Sequence, residues 1–76
     1  MELQLFIKSF AGQFDDTEAS AFTAETIFKG LPEWSSMIAL SIIAMADEEY
    51  NVKIKGDDIR NSKTIEDLFI VVKSRS

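Results

Sequence analysis

Leu31-Pro32-Glu33-Trp34-Ser35-Ser36-Met37-Ile38-Ala39-Leu40 is the stretch on which the fold turns. It contains the only proline and the only tryptophan of the chain. It leads directly into the most apolar segment, Met37 to Ala46, whose single polar interruption is Ser41. Serine just ahead of such a run marks a helix start, because its hydroxyl accepts a hydrogen bond from a backbone N–H with no partner inside the helix. Ser35 is the expected cap. Ser36 then falls in the first turn, free to face solvent beside the positive end of the helix dipole, where an attached anionic group is favoured.

Toward the N-terminus, Leu3, Phe6, Ile7, Phe10 and Phe14 recur at the spacing of one amphipathic stripe. Gly12 weakens the final turns, so this helix is expected to fray between Ala11 and Phe14. Its opposite face lacks the lysines and arginines that a membrane-surface helix needs, which favours core packing. Asp15 to Lys29 forms a long connection, a feature that in small domains is usually functional or partly structured. Phe22, Ile27, Phe28 and Leu31 are expected to tack it onto the helices, with a short turn at Thr23-Ala24-Glu25-Thr26. Asp15, Asp16 and Glu18 read as a solvated face.

Toward the C-terminus, the second helix is expected from Ser36 to Glu49 or Tyr50. Leu40, Ile43 and Tyr50 lie along one side, and Ile42, Met45 and Ala46 widen the apolar surface. A helix apolar nearly all round is expected to be the central member, buried on several sides. Asp47, Glu48 and Glu49 sit at the end where the dipole disfavours negative charge. They are either a binding feature or an ordinary solubilising patch. Asn51 to Lys55 alternates like a strand but has no partner strand, so it reads as an extended connector pinned by Val52 and Ile54. Gly56 ends that connector, and Asp57 to Arg60 forms a short helical turn anchored by Ile59. Ser62 or Thr64 caps the last helix, Thr64-Ile65-Glu66-Asp67 being close to a capping box. Ile65, Leu68, Phe69 and Val72 mark its buried face, and Lys73 and Arg75 suit its negative end. The expectation is one all-α domain over residues 1–76, with three main helices, one minor helical turn and a long first loop.

Composition narrows the chemistry. The chain has no cysteine and no histidine, which excludes disulfides, thiolate zinc sites and imidazole catalysis. The acidic stretch from Asp47 to Asp58 fails as a calcium loop because Val52 stands where the sharp-turn glycine is needed, and no metal site is expected. A net charge of -5 argues against a nucleic-acid partner and for partners with basic docking surfaces. The first eight residues, MELQLFIK, do not read as a signal peptide. No apolar run reaches the roughly 18–20 residues that span a bilayer. A cytoplasmic monomer without a membrane partner is expected. A serine nucleophile here has no histidine base, and an enzyme is not expected. What remains is a carrier modified on Ser36 or an unmodified helical interaction domain.

Several motifs, taken together, resemble the acyl carrier protein family. They are Phe28-x-x-Leu31-x-x-Trp34-Ser35-Ser36-Met37, then Asp47-Glu48-Glu49-Tyr50-x-Val52-x-Ile54, then Thr64-Ile65-x-Asp67-Leu68. The family's attachment motif is Asp-Ser-Leu or Asp-Ser-Met at the start of the second helix, and a subset places Trp before it. The corresponding positions here read Trp34-Ser35-Ser36-Met37, with Ser35 in place of the acid. The resemblance implies a four-helix bundle of acyl carrier type with a long first loop and a short third helix. It implies 4′-phosphopantetheine, donated by coenzyme A, on Ser36, and thioester-bound acyl cargo for fatty-acid or related biosynthesis. An aminoacyl or peptidyl carrier is the variant of this reading. Implied partners are a phosphopantetheinyl transferase and acyl-loading and acyl-using enzymes. Their contacts are expected on Ser35, Met37, Ile38, Asp47, Glu48 and Glu49. Ile38 and Ser41 stand where the family typically offers acids, so a more apolar docking face is expected.

Overall fold

Local signals set the helix ends. In a computed structural model describing residues 2–76, α1 spans Leu3–Ala11, α2 Ser36–Tyr50, α3 Gly56–Asn61 and α4 Ile65–Arg75. No strand occurs among the described residues. No helix there is long and apolar enough to cross a membrane. The stripe of α1 packs inward as its spacing requires: Phe6, Ile7, Phe10 and Phe14 are buried and Leu3 is half-buried. The helix stops at Ala11, and Gly12 and Gln13 form the turn that carries Phe14 back onto the core.

The long loop is partly structured. It contains single 3-10 turns at Ala19–Ala21 and Phe28–Gly30. Between them, Thr26 Oγ1 accepts from the Thr23 N–H at 2.8 Å and donates to Ala21 O at 2.8 Å, closing the turn expected there. Phe22 and Phe28 anchor the loop in the core and Leu31 is half-buried. Ile27 departs from expectation and is exposed. The neighbouring Phe28 fills the core site, and the 3-10 turn beginning there leaves Ile27 outside. The loop also serves α4: Thr26 O and Ala24 O accept from the Ile65 and Glu66 N–H groups at 3.2 and 3.1 Å. Those are orphan donors of the first helical turn, which would otherwise need water.

α2 is less enclosed than its composition implies. Ile42, Met45 and Ala46 are buried, Ile43 and Tyr50 are half-buried, and Leu40 is exposed. The expectation of a central helix buried on several sides is therefore corrected. α1 packs against both α2 and α4, and α3 bridges α2 and α4. That arrangement covers one side of α2 and leaves the other to solvent. The helix ends on Asn51 in the left-handed conformation, φ 55°, which asparagine tolerates better than most residues.

Residues 51–55 run as an extended connector with Val52 and Ile54 buried. Gly56 begins α3 instead of merely ending the connector, and α3 is six residues long. Its start is fixed by the Lys55 N–H donating to Asp58 Oδ2 at 2.8 Å. Asp58 also accepts from both terminal guanidinium nitrogens of Arg75, Nη1 and Nη2, at 2.6 Å, tying α3 to the end of α4. Of the two candidate caps, Thr64 holds α4: its Oγ1 accepts from the Asp67 N–H, and Asp67 accepts from the Thr64 and Lys63 N–H groups, each at 3.1 Å. Ser62 is buried instead, donating to Asp58 O at 2.8 Å.

Candidate functional site

The site is built from the loop that enters α2. Trp34 is held by its N–H, which donates to Leu31 O at 3.0 Å, and by its ring. That ring meets Phe28 edge-on at 5.1 Å and stacks on Phe14 at 6.3 Å. One residue earlier, the Glu33 carboxylate accepts from the Asp15 N–H at 2.7 Å, the Asp16 N–H at 3.0 Å and the Thr17 hydroxyl at 2.7 Å. These donors favour the charged form, the Thr17 hydroxyl most, and hold the Glu33 carboxyl below the usual carboxylate range. Sequence gave no sign of this contact, since Glu33 meets residues far from it along the chain.

Ser35 takes the cap. Its backbone is extended, φ -156°, its Oγ accepts from the Ile38 N–H at 3.3 Å, and its carbonyl accepts from the Ala39 N–H at 3.0 Å. Ser36 is the first residue of α2, exposed, with its hydroxyl outside that cap. The first turn of α2 carries no acidic residue. Glu33, the nearest carboxylate upstream, is bound back to the loop and cannot stand in for an acid at position 35.

Downstream of Ser36 the open side of α2 is apolar. Met37 is 78% exposed and Leu40 64% exposed, and Ala44 and Glu48 are exposed at the following turns of the same face. Leu40, expected on a helix buried on several sides, is open to solvent instead. The available signal was that Met37, Leu40, Ala44 and Glu48 form one helical row ending in an acid. Ile38 points the other way, half-buried against the core. The three acids at the end of α2 are exposed but not equivalent. Asp47 pairs with Lys53 at 3.3 Å, and Glu49 accepts from Ser9 Oγ at 2.7 Å. Glu48 makes no such bond among the described residues and continues the apolar row.

Two open grooves lie along the first loop. One of about 580 Å³ is bordered by Asp16, Thr17, Pro32 and Glu33. The other, of about 640 Å³, is bordered by Ile7, Lys8, Ala11 and Phe22. Neither is lined by α2. Among the described residues, no group of three acids is placed to hold a metal ion. The geometry thus offers an exposed hydroxyl at a helix N-terminus, heading an apolar row that ends in a free carboxylate. No family model, curated protein or solved structure matches the chain.

Proposed function

We propose that the protein is an acyl carrier that bears 4′-phosphopantetheine on Ser36 and presents thioester-bound acyl groups to partner enzymes. The observation that carries this reading is the division of labour between adjacent serines. Ser35 is occupied as the cap, while Ser36 stands exposed at the head of α2. A phosphodiester at that position sits against the unpaired N–H groups and positive dipole of the helix. The order of elements agrees with the acyl carrier type: α1, a long loop, a helix beginning at the modified serine, a short α3 and α4.

Modification transfers the group from coenzyme A. Ser36 Oγ attacks the β-phosphorus, a new P–O bond forms, and the bond to adenosine 3′,5′-bisphosphate breaks. The hydroxyl proton passes to a base on the phosphopantetheinyl transferase, since the chain has no histidine to take it. The arm then supplies the thiol that the cysteine-free chain lacks. Met37, Leu40 and Ala44 give partners an apolar strip beside the arm, with Ser35 at its start and Glu48 at its end. An unmodified interaction domain would use the same strip and have no use for Ser36.

Incubation with coenzyme A and a broad-specificity transferase separates these readings. One phosphopantetheine per chain should add by intact mass, Ser36→Ala should abolish the addition, and Ser35→Ala should retain it. Ser35→Ala should also cost about 0.5–1 kcal/mol of stability from the lost cap. Loss of modification in Ser35→Ala but not in Ser36→Ala would reverse the assignment. No mass gain with several transferases, even in Ser35→Asp, leaves the interaction domain as the reading.

A further inference from the structure

Three consecutive residues ahead of Ser36 are each anchored by a different kind of contact. Ser35 is bound by its cap, Trp34 by the rings of Phe14 and Phe28, and Glu33 by three donors in the stretch 15–17. The Glu33 contact, like the Trp34–Phe14 stack, spans the loop, but it does so through directional hydrogen bonds. It closes residues 15 to 33 into a ring. Both carboxylate oxygens are used: Oε2 takes the Asp15 N–H, and Oε1 takes the Asp16 N–H and the Thr17 hydroxyl. Thr17 is half-buried although Asp15 and Asp16 are exposed, so the hydroxyl is directed into the contact. Pro32 and the turn from Leu31 O to the Trp34 N–H leave little freedom between this latch and the start of α2.

We infer that Glu33 is a positioning residue for modification: its carboxylate, latched onto the Asp15 and Asp16 N–H groups and the Thr17 hydroxyl, fixes the loop that sets the direction of the Ser36 hydroxyl. The inference rests on the carrier reading and deepens it. A nucleophile held by a flexible loop must be immobilised again at each encounter with the transferase. One held by a closed ring is already in place. The latch works through the backbone of residues 33–35, and Glu33 itself touches neither coenzyme A nor the reacting phosphorus. Loss of the latch therefore slows the chemical step without weakening docking, which occurs on α2.

The test uses the full chain, coenzyme A and a broad-specificity transferase, with rates followed by intact mass as carrier concentration is varied. Glu33→Ala should lower kcat by about tenfold with KM nearly unchanged, the signature of misplacement and not of lost docking. Glu33→Gln keeps an amide oxygen for the Asp16 N–H and the Thr17 hydroxyl but turns its NH2 group toward the Asp15 N–H, and should recover part of the loss. Thr17→Val removes one donor and should fall between wild type and Glu33→Ala. Amide exchange at Trp34 and Ile38 should quicken in Glu33→Ala even without transferase, because their bonds to Leu31 O and Ser35 Oγ depend on the closed loop. Wild-type kcat in a folded Glu33→Ala, or a change confined to KM, overturns the inference. So does a Glu33→Gln variant as slow as Glu33→Ala. If wild type gains no mass at all, the carrier reading fails. The latch is then judged by amide exchange alone, where unchanged exchange at Trp34 and Ile38 refutes it.

Discussion

Phe10 joins α1 to the loop that carries the candidate site. It is fully buried, and its ring lies 5.3 Å from Phe28, 5.7 Å from Phe14 and 6.3 Å from both Phe6 and Phe22. Phe14 and Phe28 in turn hold Trp34, so two routes of ring contact lead from Phe10 to the residue two places before Ser36. Phe10→Leu keeps most of the apolar volume and removes all four ring pairs. Each pair contributes about 0.5–1.5 kcal/mol beyond burial, and pairs sharing one ring do not add fully, so a loss of about 1.5–3 kcal/mol is expected. In a domain this small each kcal/mol moves the thermal midpoint by about 4–8 °C, which places the shift at about 6–24 °C. Phe10→Ala should lose about 3–5 kcal/mol, near the whole stability such a core supplies. Far-UV circular dichroism gives the midpoint, and the single tryptophan reports the loop directly. Native Phe10→Leu should emit from Trp34 at longer wavelength than wild type. Phe69→Leu is the control: Phe69 meets one ring, Phe6 at 5.5 Å, and should cost less than half as much. A Phe10→Leu midpoint within about 3 °C of wild type, or a larger loss in Phe69→Leu, would refute the claim that the aromatic cluster fastens the loop.

The Asp58–Arg75 contact sets an acid dependence: the Arg75 hydrogen bonds and the Lys55 N–H hold the Asp58 carboxyl below its ordinary value, and Asp67 and Glu33 are lowered by their N–H and hydroxyl donors. A lowered folded-state value contributes stability above the unfolded carboxylate range, about 4, that is lost as pH falls through the folded value. Urea midpoints should hold at neutral pH and drop in that acid window, and Asp58→Asn should flatten the drop. An equally steep drop in Asp58→Asn would remove the pair from the account. On α2, Leu40→Gln should change stability by less than about 0.5 kcal/mol, whereas Ile42→Ala should cost about 2–5 kcal/mol. Equal losses at the two positions would show that Leu40 is covered in solution.

What the sequence discloses follows the range of each interaction. The stripe of α1, the cap at Ser35 and the capping box at Thr64 are local patterns, and each is where the residues place it. The same holds for the alternation of Val52 and Ile54, which pins a connector without needing a partner strand. Contacts between distant residues leave no such trace. Nothing near Glu33 announces that it binds residues 15–17, and nothing near Ala24 and Thr26 announces that their carbonyls serve α4. The acids of α2 were visible as a group, but not that Ser9 and Lys53 engage Glu49 and Asp47. Ile27 and Leu40 were misplaced for a related reason. Apolar character says that a residue can be buried, and only the number of neighbouring surfaces decides whether it is.

That shortage of covering surface gives α2 its meaning. With α1 and α3 against one side, the core is complete without Met37 and Leu40, and both remain open to water. Lysine or glutamate at these positions would serve solubility better and would suit a helix as well. The apolar row is therefore not explained by folding. Glu48 lies at its far end, against the preference of the helix dipole, and is not explained by local electrostatics either. Both features become coherent if a partner covers the row, and whether that partner also reads Ser36 at its head separates the two kinds of partner. A simple binding partner would be indifferent to that hydroxyl. A carrier's partner must occupy the row and receive the arm in a single encounter, so its affinity would join the apolar strip to whatever Ser36 bears. Binding that depends on Leu40 and on the modification of Ser36 together is thus the property that a carrier requires and an interaction domain lacks.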